Sequence, residues 1–322
     1  MSVSTSITRV SNHNNWPAVE LFPCERMLLE QMAKHNIQQI FTTTTLVADE
    51  EDEPFNAMVG HILDCLDCLP KRPDAAFDYL YKIIDQCISP YKNKQPSAMC
   101  YLVNIFFSSH PHEWSTITNL LTENMPQQTA DYIASRILDC HVDNNPPHTE
   151  RIKKRANRSL GTTRYEEFYG KYLIKNPSIP GSFYELEYNN RRNAGKLMFN
   201  LFRKTTPLTK KNTIHTAPSK LDLTVQENLL SPEEKLKSLL ELLLSTYRHE
   251  RSHGEAFSPF RSSKASLKTY AHAYYALIVS YVIVLGILQS QGKGGVTMPS
   301  ITDITQKSMR NFISFFDEVL KK

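Results

Sequence analysis

Apolar positions recur at three- and four-residue spacing through most of the chain. That period predicts helices over 20–34, 55–69, 74–88, 98–108, 117–124 and 129–140. Pro70, Pro73, Pro90, Pro96, Pro111 and Pro126 separate or open them, as expected of a residue with no backbone donor. The C-terminal third carries the clearest start signal. Ser231-Pro232-Glu233-Glu234 supplies an N-cap serine, a proline at the first helical position and a glutamate three residues after the cap. The helix that follows is apolar at Leu236, Leu239, Leu240, Leu243, Leu244 and Tyr247 and is expected to end near Gly254. A second long helix is predicted over 264–291, stopped by Gly292, Gly294 and Gly295, and an amphipathic one over 303–320. No stretch reads convincingly as a strand. The predicted fold class is all-α, an antiparallel helical bundle with additional N-terminal helices.

Breaks in the pattern suggest an organisation. Residues 1–15 are rich in Ser, Thr and Asn and are expected to be disordered, followed by an N-terminal helical region over 16–145. Asn144-Asn145-Pro146-Pro147 opens a basic central segment, 146–230. Its first part reads as one or two basic helices over 149–175. From 177 onward the period fades, so irregular structure with one short helix around 193–203 is expected. The C-terminal helical region is 231–322. The acidic run 49–53 reads as a solvated connector.

Charge sharpens this picture. The whole chain carries +4, yet 151–220 holds 16 Lys and Arg against four acids, a local balance of +12 that leaves −8 for the remainder. A polyanion such as RNA is drawn to such a segment; a solvated, merely solubilising face reads equally well from charge alone. Tyr165, Phe168, Tyr169 and Tyr172 interleave with the cations at helical spacing and are expected to pack. The six cysteines lie in a chain without a secretory h-region after Met1, so reduced thiols and a cytoplasmic location are expected. Cys65 and Cys68 have metal-like spacing but sit in an apolar helical pattern, so no metal is expected. The apolar run 276–288 has 13 residues, short of the roughly 20 needed to cross a bilayer, and is expected to be buried.

Arg248 and His253 hold the candidate chemistry. A histidine titrates near neutrality and serves as general acid or base, while an arginine clamps phosphate as charge builds on it. Together they suit 2′-OH attack on the adjacent phosphodiester, a route that needs no metal or cofactor. Residues five apart lie ~140° round a helix, so the pair converges only if the helix loosens near Gly254 or a second copy contributes. Spacing alone decides little, because Arg136 and His141 share it. Context separates the two: polar His249 follows Arg248, Gly254 follows His253, and the pair lies between a capped helix and a long apolar one. The contrary reading makes Arg248 and His253 cations at a helix C-terminus, favoured there by the dipole.

The segment from Leu243 to Gly254 resembles the Arg-x4-6-His motif of HEPN-domain ribonucleases, in which a polar residue often follows the arginine. Leu69-Pro70-Lys71-Arg72-Pro73-Asp74, continuing to Lys82, looks more loosely like an early helix of that family. The resemblance implies a HEPN-like bundle assembled from about 55–292. It also implies a homodimer in which two motifs face one another, cutting RNA to leave a 2′,3′-cyclic phosphate. Such proteins serve as toxins or antiphage defence effectors, often under a regulatory or inhibitory protein partner. Arg248 and His253 would be catalytic, with His249 supporting them. Substrate-binding candidates are Arg251 beside the motif and Lys153, Lys154, Arg155 and Arg158 in the basic segment. Histidine after the arginine is less usual than asparagine, and the basic segment has no counterpart in the family. The alternative is a non-catalytic helical module that binds RNA or protein.

Overall fold

Residues 5–142, 146–175, 184–209, 219–252 and 258–320 are described by the computed structural model of the chain. Among them the fold is all-α. The helices are α1 (Thr5–Asn14), α2 (Pro23–Lys34), α3 (Glu53–Asp67), α4 (Pro73–Ile88), α5 (Ala98–Ser109), α6 (Pro111–Glu123), α7 (Gln127–Val142), α8 (Pro146–Leu160), α9 (Thr162–Tyr172), α10 (Tyr188–Arg203), α11 (Pro232–Ser238), α12 (Ser245–Ser252), α13 (Leu267–Ser290) and α14 (Met298–Leu320). Two-residue strands, Ile174–Lys175 and Tyr184–Glu185, pair antiparallel. The chain divides into two compact units. Unit 1 combines Met1–Cys87 with Tyr247–Lys322, and unit 2 is Ile88–Thr246, so one unit interrupts the sequence of the other.

Unit 1 is organised on α13. Every residue from Tyr270 to Leu288 is buried, and α13 packs on α2, α14 and the short turn at Pro259–Arg261. By length and composition α13 could cross a membrane, but its whole apolar window is buried inside the protein. Buried tyrosines need a partner for their hydroxyl groups. Tyr270 donates to the Lys71 carbonyl at 3.0 Å and Tyr274 to the Pro70 carbonyl at 2.8 Å. These bonds tie α13 to the segment that precedes α4. Beyond α13, Gly292, Gly294 and Gly295 all adopt left-handed φ near +65°, which turns the chain so that α14 packs back along α13.

The N-terminal segment expected to be disordered is helical from Thr5 to Asn14. No residue of α1 is buried, so no core pattern marks it. Side chain to backbone bonds hold it instead. Arg9 donates to the Arg261 carbonyl at 2.7 Å, and Asn12 exchanges bonds of 2.8 and 2.9 Å with the backbone of Glu20.

Unit 2 places α11 among α5, α6 and α8. The predicted capping box is formed: the Glu234 amide donates to Ser231 Oγ at 3.2 Å and the Ser231 amide to Glu234 Oε2 at 2.8 Å. The short helix expected around 193–203 is present and starts earlier, at Tyr188: α10 runs 16 residues and packs on α7. Ala194, Gly195, Met198, Leu201 and Phe202 form its buried stripe. A methyl group on Gly195 would collide with the Asp131 carboxylate. Between α11 and α12 the helix widens into a π segment, Leu239–Leu244, with all six side chains buried. Ser245 Oγ donates back to the Leu240 carbonyl at 2.8 Å, spanning five residues as that wider turn requires.

Candidate active site

The π segment ends three residues before Tyr247, and the packing of that tyrosine sets the position of α12. In unit 1 its ring meets Phe77 of α4 edge-on at 4.9 Å and His272 of α13 at 5.4 Å. Anchored there, α12 turns Arg248 and Arg251 toward α4, which presents Asp74, Asp78, Tyr81, Lys82 and Asp85. Spacings of four and seven residues put the acids along one helix face. Between the two helices lies an open cleft of about 500 Å³ that includes Asp78, Tyr79, Tyr81, Lys82, Asp85, Arg248, Arg251 and Ser252 in its lining.

The two arginines of α12 have different fates. Arg251 grips Asp78 through two bonds, Nε to Oδ1 at 2.8 Å and Nη2 to Oδ2 at 2.6 Å, and donates from Nη1 to Asp74 at 3.0 Å. Asp74 is fully buried and also receives Arg72 in a two-pronged pair at 2.9 and 3.1 Å. Burial works against charge on Asp74. The hydrogen bond and charge of Arg72, with the charge of Arg251, outweigh it and hold the carboxyl below its ordinary range. Burial likewise works against charge on Arg251, and Asp78 and Asp74 hold that guanidinium firmly protonated. The assignment of Arg251 to substrate binding is thereby corrected: its side chain is only 10% exposed and its donors are occupied by carboxylates.

Arg248 remains available. Its guanidinium lies 5.7 Å from the centre of the Tyr81 ring, and the nearest Asp85 oxygen is 3.9 Å away, beyond hydrogen-bond reach. These contacts are a ring and a carboxylate, both on α4. His249 is buried at 7% exposure and does not line the cleft, so it is not beside Arg248's open face. His253 and Gly254 lie outside the described residues. The helix runs unbroken from Ser245 through Ser252.

In unit 2 the four basic candidates of α8 separate in the same way. Arg158 donates to Glu241 Oε2 at 2.9 Å, and Arg155 Nε lies 4.0 Å from the same atom. Glu241 belongs to the π segment, is 2% exposed, and accepts a further bond from Ser97, the N-cap of α5. Placing Arg155 and Arg158 on RNA is therefore corrected: both turn inward to a buried carboxylate. Lys153 pairs with Glu150 at 2.9 Å, and Lys154 is exposed.

The second Arg-x4-His spacing serves as an internal comparison. Arg136 lies over Tyr132 at 5.2 Å and reaches Asp139 at 3.7 Å. His141 Nε2 is hydrogen-bonded with the Tyr165 hydroxyl at 2.8 Å, among the rings of Tyr165, Tyr169 and Tyr184. Burial and Lys153 push its pKa down to about 4. Because the folded value lies below the unfolded 6.5, the stability this neutral histidine supplies is full above pH 6.5 and is lost as pH falls toward 4. Thermal melting of the wild type between pH 7 and 4.5 should show this loss, and His141→Gln should flatten that part of the profile. Parallel profiles would contradict it.

Sequence reading missed the acids. Asp74, Asp78 and Asp85 sit on a helix whose apolar period drew attention to its buried side, while their partners on α12 lie more than 160 positions away. Opposite charges at helical spacing on α4 and α12 were the available signal. Comparison with known proteins adds no further assignment: no family model matches the sequence, and neither a curated protein nor a solved structure matches it.

Proposed function

We propose that the chain is a metal-independent endoribonuclease of the HEPN type, with Arg248 holding the scissile phosphate and His253 moving the proton. In that reaction the 2′-oxygen attacks the adjacent phosphorus, the 5′-oxygen leaves with a proton, and a 2′,3′-cyclic phosphate remains. Arginine neutralises the charge that builds on the phosphoryl oxygens, and histidine supplies or removes the proton. One observation carries this reading. Of two arginines three residues apart, Arg251 is occupied by buried carboxylates, whereas Arg248 rests on a ring at an open cleft. The chain reaches His253 one residue beyond Ser252, which also lines that cleft. The biological setting that goes with this reading is a cytoplasmic toxin or antiphage effector. It acts as a homodimer that closes the site with a second copy and is held in check by a regulatory partner.

Single-stranded RNA incubated with the protein in EDTA is the direct test. Cleavage is expected to persist without divalent metal, to leave cyclic phosphate ends, and to fall about 100-fold or more in Arg248→Ala and in His253→Ala. Cleavage that both variants retain would remove this function.

Exposed Arg151 and Lys154 on α8 favour a second reading, a helical RNA-binding module without catalysis. It calls for strongly salt-dependent RNA binding that ignores His253 and weakens in the double variant Arg151→Gln, Lys154→Gln.

A further inference from the structure

The geometry points to Lys82 as a second phosphate-binding cation, so that the unit 1 cleft takes an RNA phosphodiester between Lys82 and Arg248. This rests on the reading of Arg248 as a phosphate contact and extends it to a residue that the motif does not contain.

Four cations gather around α4, and their contacts sort them. Arg72 and Arg251 give their donors to Asp74 and Asp78. Lys82 and Arg248 give none to a carboxylate within hydrogen-bond distance; each rests on an aromatic ring of α4. Lys82 Nζ lies 4.3 Å from the centre of Tyr79, and Arg248 Cζ lies 5.7 Å from the centre of Tyr81. A cation held over a ring loses rotational freedom while its N–H groups stay open to an incoming anion. Both side chains line the same cleft, Lys82 from an exposed position.

Charge fits the ligand. Asp78 is neutralised by Arg251, so the cleft offers two available cations against the half-exposed carboxylate of Asp85. The resulting single positive charge matches a phosphodiester, which carries one negative charge. Two separated cations also suit a phosphate with two non-bridging oxygens, one directed at the planar guanidinium and one at the ammonium group.

Binding of a single-stranded 2′-O-methyl RNA oligonucleotide tests this, because such RNA cannot be cut by 2′-OH attack. Lys82→Gln is expected to weaken affinity about tenfold and to lower the salt dependence by roughly one counterion, while Lys82→Arg restores most of the binding. Lys307→Gln, at an exposed lysine of α14 paired with Asp303 at 2.7 Å, is expected to change nothing. Unchanged affinity in Lys82→Gln, or an equal loss in Lys307→Gln, would overturn the assignment. The two readings fail separately. Lys82-dependent binding in a protein that cuts no RNA removes the ribonuclease and leaves this site. RNA cleavage with wild-type KM in Lys82→Gln does the reverse.

Discussion

Asp74→Ala is expected to lower the free energy of unfolding by about 3–5 kcal/mol, the cost of leaving buried charge without its partner. Asp74 is fully buried and joins Arg72, which precedes α4, to Arg251 on α12. Without it Arg72 loses its hydrogen-bonded carboxylate and Arg251 keeps only Asp78. Asp74→Asn keeps the shape and an acceptor oxygen, so it should lose less. Urea unfolding of the three proteins checks both statements; a loss below about 1 kcal/mol in the alanine variant would show that the network adds little. The acid limb of stability carries the same signature. Because the folded carboxyl is held below its ordinary value, its contribution is full above pH ~4 and disappears as pH falls through the folded value. Wild type and Asp74→Asn should therefore converge in stability at low pH.

Glu241→Ala is expected to cost a similar amount, about 3–5 kcal/mol, for a related reason in unit 2. Glu241 lies at 2% exposure with Arg158 bonded to it, Arg155 close by and Ser97 donating from the start of α5. Hydrogen exchange should show the loss first in α5, α8 and the π segment. Glu241→Gln keeps an acceptor for Ser97 and is expected to recover part of the stability. If the alanine variant unfolds at the wild-type midpoint, the cluster is energetically neutral.

The sequence carried the helices well because their cause is local. Apolar spacing and the Ser231 capping box forecast α11 and the buried α13, and Gly292 with its neighbours forecast where α13 stops. The π segment was not legible: Leu239 to Leu244 are nearly all apolar, so widening the turn leaves no mark on the hydrophobic pattern. The helix α1 was missed because no residue in it is buried. Around the candidate site, Arg248 was singled out from its neighbours, but nothing local distinguished it from Arg251. That difference lies in tertiary pairing with Asp74, Asp78 and Asp85, which one sequence does not reveal. For the same reason Arg155 and Arg158 read as surface cations, although a carboxylate some 80 positions away turns them inward.

The interruption of unit 1 by unit 2 orders events during synthesis. The aspartates and tyrosines of α4 leave the ribosome first, and the 159 residues of Ile88–Thr246 must follow before Arg248 and Arg251 emerge. Until then Asp74 has Arg72 alone as a partner, and the face of α2 that will pack on α13 has nothing from that helix to cover it. A nascent chain at this stage has no cleft and exposes surface that chaperones and proteases recognise. Termination anywhere between the end of α4 and Arg248 leaves Asp74 and Asp78 without the guanidinium of Arg251.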